Sequence, residues 1–289
     1  MRRAAEMTRA DLPKPQLELT EIVNENGIVI LRGRPDPATV TPVAGPLVVV
    51  FCSLASMVEF AGSTARSGRS AIFVSDRKRL WFAMPADVNT IVRAVRAEMA
   101  ELGQEQIDTI GFSMGGFAAL AYGNLLPVRN ALAFSPRFSP DQEIVRDRRT
   151  YPNLTRNVQL LALRSVTPGL RRIGWASIVH GTIGPDRPHL RHFPRDKNFD
   201  HHMITRCGHF VAQWLRAREA LEPLIQAVLT DDRHAAQRHM RAAGTIPRHL
   251  LNNRMARAEA RLRRAFRAVR RRFRAVSTTF IAPIKGTIS

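Results

Sequence analysis

Ile107-Asp108-Thr109-Ile110-Gly111-Phe112-Ser113-Met114-Gly115-Gly116 is the stretch on which the fold is decided. A short β-type run enters it, and an alanine-rich helical stretch leaves it and runs to about Leu126. Gly111 to Gly115 fits G-x-S-x-G. That spacing sets a serine on a strained strand-to-helix turn with its hydroxyl above the sheet, and small residues two before and two after let strand and helix close around it. The helix start beneath adds free N–H groups and the positive end of a dipole. A dinucleotide fingerprint would need G-x-G-x-x-G on the first strand and an acid some twenty residues later, and neither is present.

Working outward, Leu17 to Ile22 and Ile28 to Leu31 flank Asn24-Glu25-Asn26-Gly27, where Asn-Gly supplies the positive φ angles of a tight hairpin. Pro46 to Phe51 is a continuous β-branched run, the signature of a strand covered on both faces. Ala71 to Val74 is a second such run. Ile91, Val92, Val95, Met99 and Leu102 recur at helical spacing and predict a helix over 86–102. Further strands are predicted at 131–134, 176–179 and 202–205, and one long helix over 210–229. Strands alternating with helices indicate a mostly parallel central sheet, here with an N-terminal antiparallel hairpin.

The chain has 289 residues, 45% of them hydrophobic, enough for one substantial core. No apolar run is long enough to span a bilayer, and the early arginines are not followed by the apolar stretch of a secretory signal. Cys52 and Cys207 make no disulfide framework. These features point to a cytoplasmic protein, with peripheral contact to a membrane through its C-terminus as a variant. The net charge is +20, but residues 231–289 alone carry fifteen bases against three acids. The basicity therefore belongs to a tail and says little about the main domain. Two regions follow: an α/β domain over 16–230 and a basic helical tail over 231–289.

The segment 111–123 resembles the nucleophile elbow of bacterial α/β-hydrolase fold proteins. The likeness extends over about 16–230: the hairpin, the Val48-Val49-Val50-Phe51 strand, the segment 73–82 and the closing Cys207-Gly208-His209-Phe210 stand in that family's order. Within the fold it is similar to small hydrolases with almost no cap domain. The resemblance implies a serine esterase acting on a small-molecule acyl substrate without a cofactor or metal. An acyltransferase, or a non-catalytic scaffold of the same fold, is the alternative.

The family's order of nucleophile, acid and histidine assigns Ser113 and His209, the latter after the last strand. For the acid it offers Asp186, after the strand ending at Gly181. Asp141, after the preceding strand, is the alternative, and Asp200 is a third candidate. Two N–H groups should form the oxyanion hole: Met114, following the serine, and Ser53 or Leu54, after the Val48–Phe51 strand. Cys52 reads as a small buried hydrophobe, and Asp76 and Trp81 as structural or pocket-edge residues. The segment 137–174 is short for a lid and rich in arginine, including Arg137, Arg146, Arg164 and Arg172. Those charges read as a solvated face or as selectors of a carboxylated substrate.

In the tail, Met255, Leu262, Val269 and Val276 fall seven apart, with ten arginines between Arg254 and Arg274. A cationic amphipathic helix over 250–276 suits an anionic membrane surface, an acidic partner, or packing on the main domain. No nucleic-acid recognition motif accompanies it.

Overall fold

A computed structural model describes residues 14–53, 58–147, 158–195 and 200–251. The chain divides into two compact units, Met1–Arg248 and His249–Ser289. The heptad stripe of the tail and Leu54 lie outside the described residues.

Among the described residues nine strands form one sheet in the order β1-β2-β4-β3-β5-β6-β7-β8-β9. β1 (Leu17–Glu25) and β2 (Ile28–Pro35) make the expected antiparallel hairpin. Its turn residues Asn26 and Gly27 sit at φ 54° and 80°, the left-handed pair that matches strand twist. The hairpin continues antiparallel onto β4 (Ala71–Asp76). From β4 through β3 (Leu47–Cys52), β5 (Ile107–Phe112), β6 (Val128–Phe134), β7 (Trp175–Gly181) and β8 (His201–Ile204) every pairing is parallel. All six residues of β3 are buried, which is why that strand shows no polar alternation.

Among the described residues the helices are α1 (Ala61–Arg66), α2 (Pro85–Glu101), α3 (Met114–Ala121), α4 (Thr167–Leu170), α5 (Arg187–Leu190), α6 (Val211–Arg216), α7 (Leu221–Leu229) and α8 (Arg233–Ala242). One apolar cluster joins α2 and α3 to the sheet through Phe51, Phe82, Ile91, Phe117 and Tyr122. A second joins α6, α7 and α8 to the other strand residues, including Val48, Val50, Phe73 and Leu132. Among the described residues, no helix is long and apolar enough to cross a membrane.

Two expectations change. The single helix over 210–229 is broken: α6 stops at Arg216, and Glu219 takes φ 56° before α7 begins. Apolar periodicity continues across the break, so pattern alone cannot reveal it. The compact unit also runs past residue 230, to Arg248. Asp232 caps α8 by accepting from Ala235 N–H, Ala236 and Met240 are buried, and β9 (Ile246–Pro247) adds antiparallel to β8. A boundary drawn from charge overlooks these few apolar positions.

The Asp108 carboxylate, fully buried at one end of the sheet, is paired. Asp108 accepts from Arg129 Nε at 3.0 Å and Nη2 at 2.6 Å and meets Arg69 Nη1 at 2.8 Å. Asp87 of α2 contrasts with it. It is buried, one of its oxygens has no hydrogen-bond partner, and loss of hydration, reinforced by the Asp76 charge, raises its carboxyl to about 6. A carboxyl raised in the fold above its ordinary 3.8 binds its proton more tightly when folded. The associated stability is therefore complete below about pH 4 and is lost as pH rises through 6. Asp87→Asn should remove that loss: thermal melting at pH 5 and pH 8 should differ less for the variant than for the wild type. An unchanged difference would remove Asp87 as its source.

Candidate functional site

The turn at Ser113 follows from what surrounds it. Ser113 sits between β5 and α3 at φ 55°, ψ −113°, a conformation costly for any residue with a β-carbon. It is held by its own N–H donating to the Phe134 carbonyl at 2.8 Å and its carbonyl accepting from Phe117 N–H at 3.0 Å. A β-carbon at Gly111 would lie 2.2 Å from the Gly115 carbonyl oxygen, and one at Gly115 would lie 1.9 Å from that of Phe51. The two glycines thus let α3 descend onto the sheet and push the serine out at its edge.

His209 reaches the same point from the β8–α6 loop. The Ser135 hydroxyl donates to the His209 carbonyl at 2.6 Å, and the imidazole ring lies 4.9 Å from that of Phe112. Its Nε2 is 2.9 Å from Ser113 Oγ. Its Nδ1 is 2.9 Å from each oxygen of Asp186, the fully buried residue that opens α5. A carboxylate only accepts, so Nδ1 carries the proton and Nε2 is left to accept from the serine hydroxyl. Burial by itself would raise the Asp186 carboxyl. The hydrogen bond and charge of His209, with His180 and Arg137, outweigh it and hold the group below its ordinary value. Arg137 Nε stands 3.7 Å from Asp186 and its Nη1 bonds Asp147 at 2.5 Å.

Of the three candidate acids, the structure therefore brings Asp186 to the imidazole. Asp141 is turned elsewhere: it accepts from Arg164 Nε at 2.6 Å and from Glu143 N–H at 2.8 Å. Asp200 accepts from Trp175 Nε1 at 3.2 Å and meets His202 Nε2 at 3.0 Å. Both alternative acids therefore face partners other than the His209 imidazole. His201 and His202 are both buried. His180 donates from Nε2 to the Pro136 carbonyl at 2.8 Å, so its Nδ1 accepts from His201 Nε2 at 2.8 Å. Loss of hydration holds His180 down to about 4, and the chain stays neutral.

Met114 is the first residue of α3, so its N–H has no partner within the helix. Ser53 lines the same cavity, where its hydroxyl donates to Glu59. Cys52 is buried, which pushes its thiol up to about 12 and keeps it an unreactive thiol. Among the described residues, no group of three His, Cys, Asp or Glu is placed to hold a metal ion.

The cavity above Ser113 has a volume of about 440 Å³. Val58, Phe60, Phe112, Met114 and Phe210 give it apolar walls, and Glu59, Arg79 and Arg216 add charge. Sequence reasoning missed Phe60, Arg79 and Arg216. Phe60 and Arg79 sit at positive φ, a conformation residue type argues against, and Arg216 lines the site with Ala212, one turn before it on α6. Of the arginines in 137–174, Arg137 pairs with Asp147 beside Asp186, and Arg164 pairs with Asp141 and Glu143.

No protein-family model matches the chain, and no curated protein does. Solved structures resemble it at low identity. The Glycosylation Associate Protein (Gap123) complex of Streptococcus agalactiae is 16% identical with a TM-score of 0.50, covering 74% of this chain. This chain spans about half, 47%, of that one. The S-formylglutathione hydrolase of Agrobacterium tumefaciens is 14% identical, TM-score 0.50, covering 76% of this chain and 94% of that one. The Pyrococcus furiosus esterase Pf2001 is 13% identical, TM-score 0.50, covering 80% and 96%. Strand order, the strained serine between β5 and α3, and these likenesses establish that the chain has the α/β-hydrolase fold.

Proposed function

We propose that the protein is a serine hydrolase that cleaves an ester or related acyl bond through an acyl-enzyme on Ser113. One observation carries the reading: a serine hydroxyl, an imidazole and a buried carboxylate in series at 2.9 Å spacings, opening onto a largely apolar cavity. That two of the similar structures are named as a hydrolase and an esterase agrees with it.

The chemistry follows from the proton positions. Ser113 Oγ attacks the substrate carbonyl carbon while its proton passes to His209 Nε2. Asp186, already accepting from Nδ1–H, stabilises the imidazolium that forms. The carbonyl π pair moves onto oxygen, and the Met114 N–H at the helix start faces the new negative charge. Collapse of the tetrahedral centre expels the alcohol oxygen, which takes the proton from Nε2. Water then repeats the sequence on the acyl-serine, releasing the acid and restoring the hydroxyl.

A fluorophosphonate tests this directly. Its phosphorus should be captured once per chain, and peptide mapping by mass spectrometry should place the adduct on Ser113. No adduct on folded protein, or one on a different residue, would overturn the reading.

A further inference from the structure

We infer that the Ser113 cavity selects esters carrying an anionic group, a carboxylate a few atoms from the scissile carbonyl, which Arg79 and Arg216 receive together. The inference rests on the hydrolase reading above and adds a substrate class to it.

Both guanidinium-bearing residues line the cavity that contains Ser113 and His209, and they arrive from separate elements. Arg216 ends α6, the helix that opens two residues after His209. Arg79 comes from the turn between β4 and α2. Among the described residues, neither side chain meets a carboxylate within ion-pair distance, in contrast to Arg32, Arg34, Arg69, Arg129, Arg137 and Arg164. An arginine fork matches a carboxylate in two parallel hydrogen bonds, so two unengaged forks on one small cavity describe a receptor for one.

The Arg79 turn is also built at a cost. Arg79, Trp81 and Phe82 take φ 55°, 66° and 56°, and none is glycine. Each such residue is strained, and strain of this kind persists only where surrounding structure enforces it. Here the buried Asp76 carboxylate enforces it by accepting from Lys78 N–H at 3.0 Å and Phe82 N–H at 3.1 Å. Trp81 and Phe82 are buried beneath. That enforced geometry carries the exposed Arg79 on the cavity wall. Glu59, whose carboxylate accepts from the Ser53 hydroxyl, is the opposing charge on the wall, and two guanidinium groups against one carboxylate make the lining net cationic. The apolar walls between serine and arginines suit a short carbon chain. Arg216 also borders a second cavity of about 660 Å³.

The test compares mono-p-nitrophenyl glutarate with p-nitrophenyl pentanoate on the full chain, with protection of Ser113 from fluorophosphonate by monomethyl glutarate as a second readout. The wild type should favour the anionic ester in kcat/KM by roughly tenfold, and the preference should shrink with added salt. Arg79→Gln and Arg216→Gln should each lower the ratio, and the double variant should bring it near one and abolish protection. A ratio near one in the wild type, or a preference that survives the double substitution, overturns the anion site while leaving the hydrolase intact. Absence of both turnover and fluorophosphonate labelling overturns the hydrolase reading and this inference with it.

Discussion

Ser113→Ala should lower kcat/KM for any ester this protein cleaves by about 10⁶-fold and Asp186→Asn by about 10⁴-fold, and the double variant should be no slower than Ser113→Ala. The asymmetry follows from what each group does. In the proposed mechanism, loss of the Ser113 oxygen removes the acyl-enzyme and leaves His209 no proton to accept. An amide at 186 keeps roughly the shape of the carboxylate but removes the charge facing Nδ1 at 2.9 Å. Its NH₂ can also donate to Nδ1, which selects the tautomer with the proton on Nε2, where the serine hydroxyl needs an acceptor. Non-additivity is the sharper part of the result. Groups that act as one relay lose the whole relay when the first is removed, whereas independent contributors would multiply. Asp141→Asn and Asp200→Asn serve as controls. Each carboxylate pairs with Arg164 or with Trp175 and His202, so losses there should track the folded fraction measured by circular dichroism. Should Asp141→Asn match Asp186→Asn in fully folded protein, the relay drawn here is wrong.

How much of this was legible beforehand varied with the kind of information each feature needs. β3 announces itself because burial on both faces demands an unbroken apolar run, Leu47 to Cys52. The hairpin does so because Asn26-Gly27 carries the turn chemistry in two letters. Ser113 was legible for the same reason: steric demands on Gly111 and Gly115 write the motif into the sequence. His209 followed from chain order on a recognised fold. Asp186 was one acid among three, since a loop's path is fixed by tertiary contacts such as Ile183 N–H to the Cys207 carbonyl, and no local pattern encodes those. Arg79 was invisible for a stronger reason. Its turn contradicts backbone preference at three positions and exists only because Asp76, Trp81 and Phe82 are buried around it. The break between α6 and α7 shows the same limit, with apolar spacing preserved through a non-helical Glu219. Periodicity reports which face is buried, and it is silent on whether the backbone stays continuous.

Gly115→Ala should cost more than about 4 kcal/mol, the range reserved for backbone collisions and comparable core faults, and should remove activity and stability together. The new β-carbon would stand 1.9 Å from the Phe51 carbonyl oxygen and 2.8 Å from its carbonyl carbon. Neither atom can swing away as a side chain would. Phe51 belongs to β3, paired on one side to β4 and on the other to β5, so the strand cannot retreat without breaking ladders on both flanks. The helix must move instead, and α3 carries Phe117, Leu120 and Ala121 in the core. Raising it opens a gap beneath those side chains and displaces Ser113, the residue immediately before its first turn, from His209. A matched substitution separates this collision from the loss of glycine itself. Gly103, at φ 62°, has nothing within 4 Å of where a β-carbon would stand, so Gly103→Ala should cost only the about 1–2 kcal/mol of a left-handed residue. Urea melts of the two variants, read alongside ester hydrolysis, give the comparison. Near-equal melting midpoints would mean that β3 and α3 do not pack as closely as the turn at Ser113 requires, and the distances from that serine to its partners would lose their foundation.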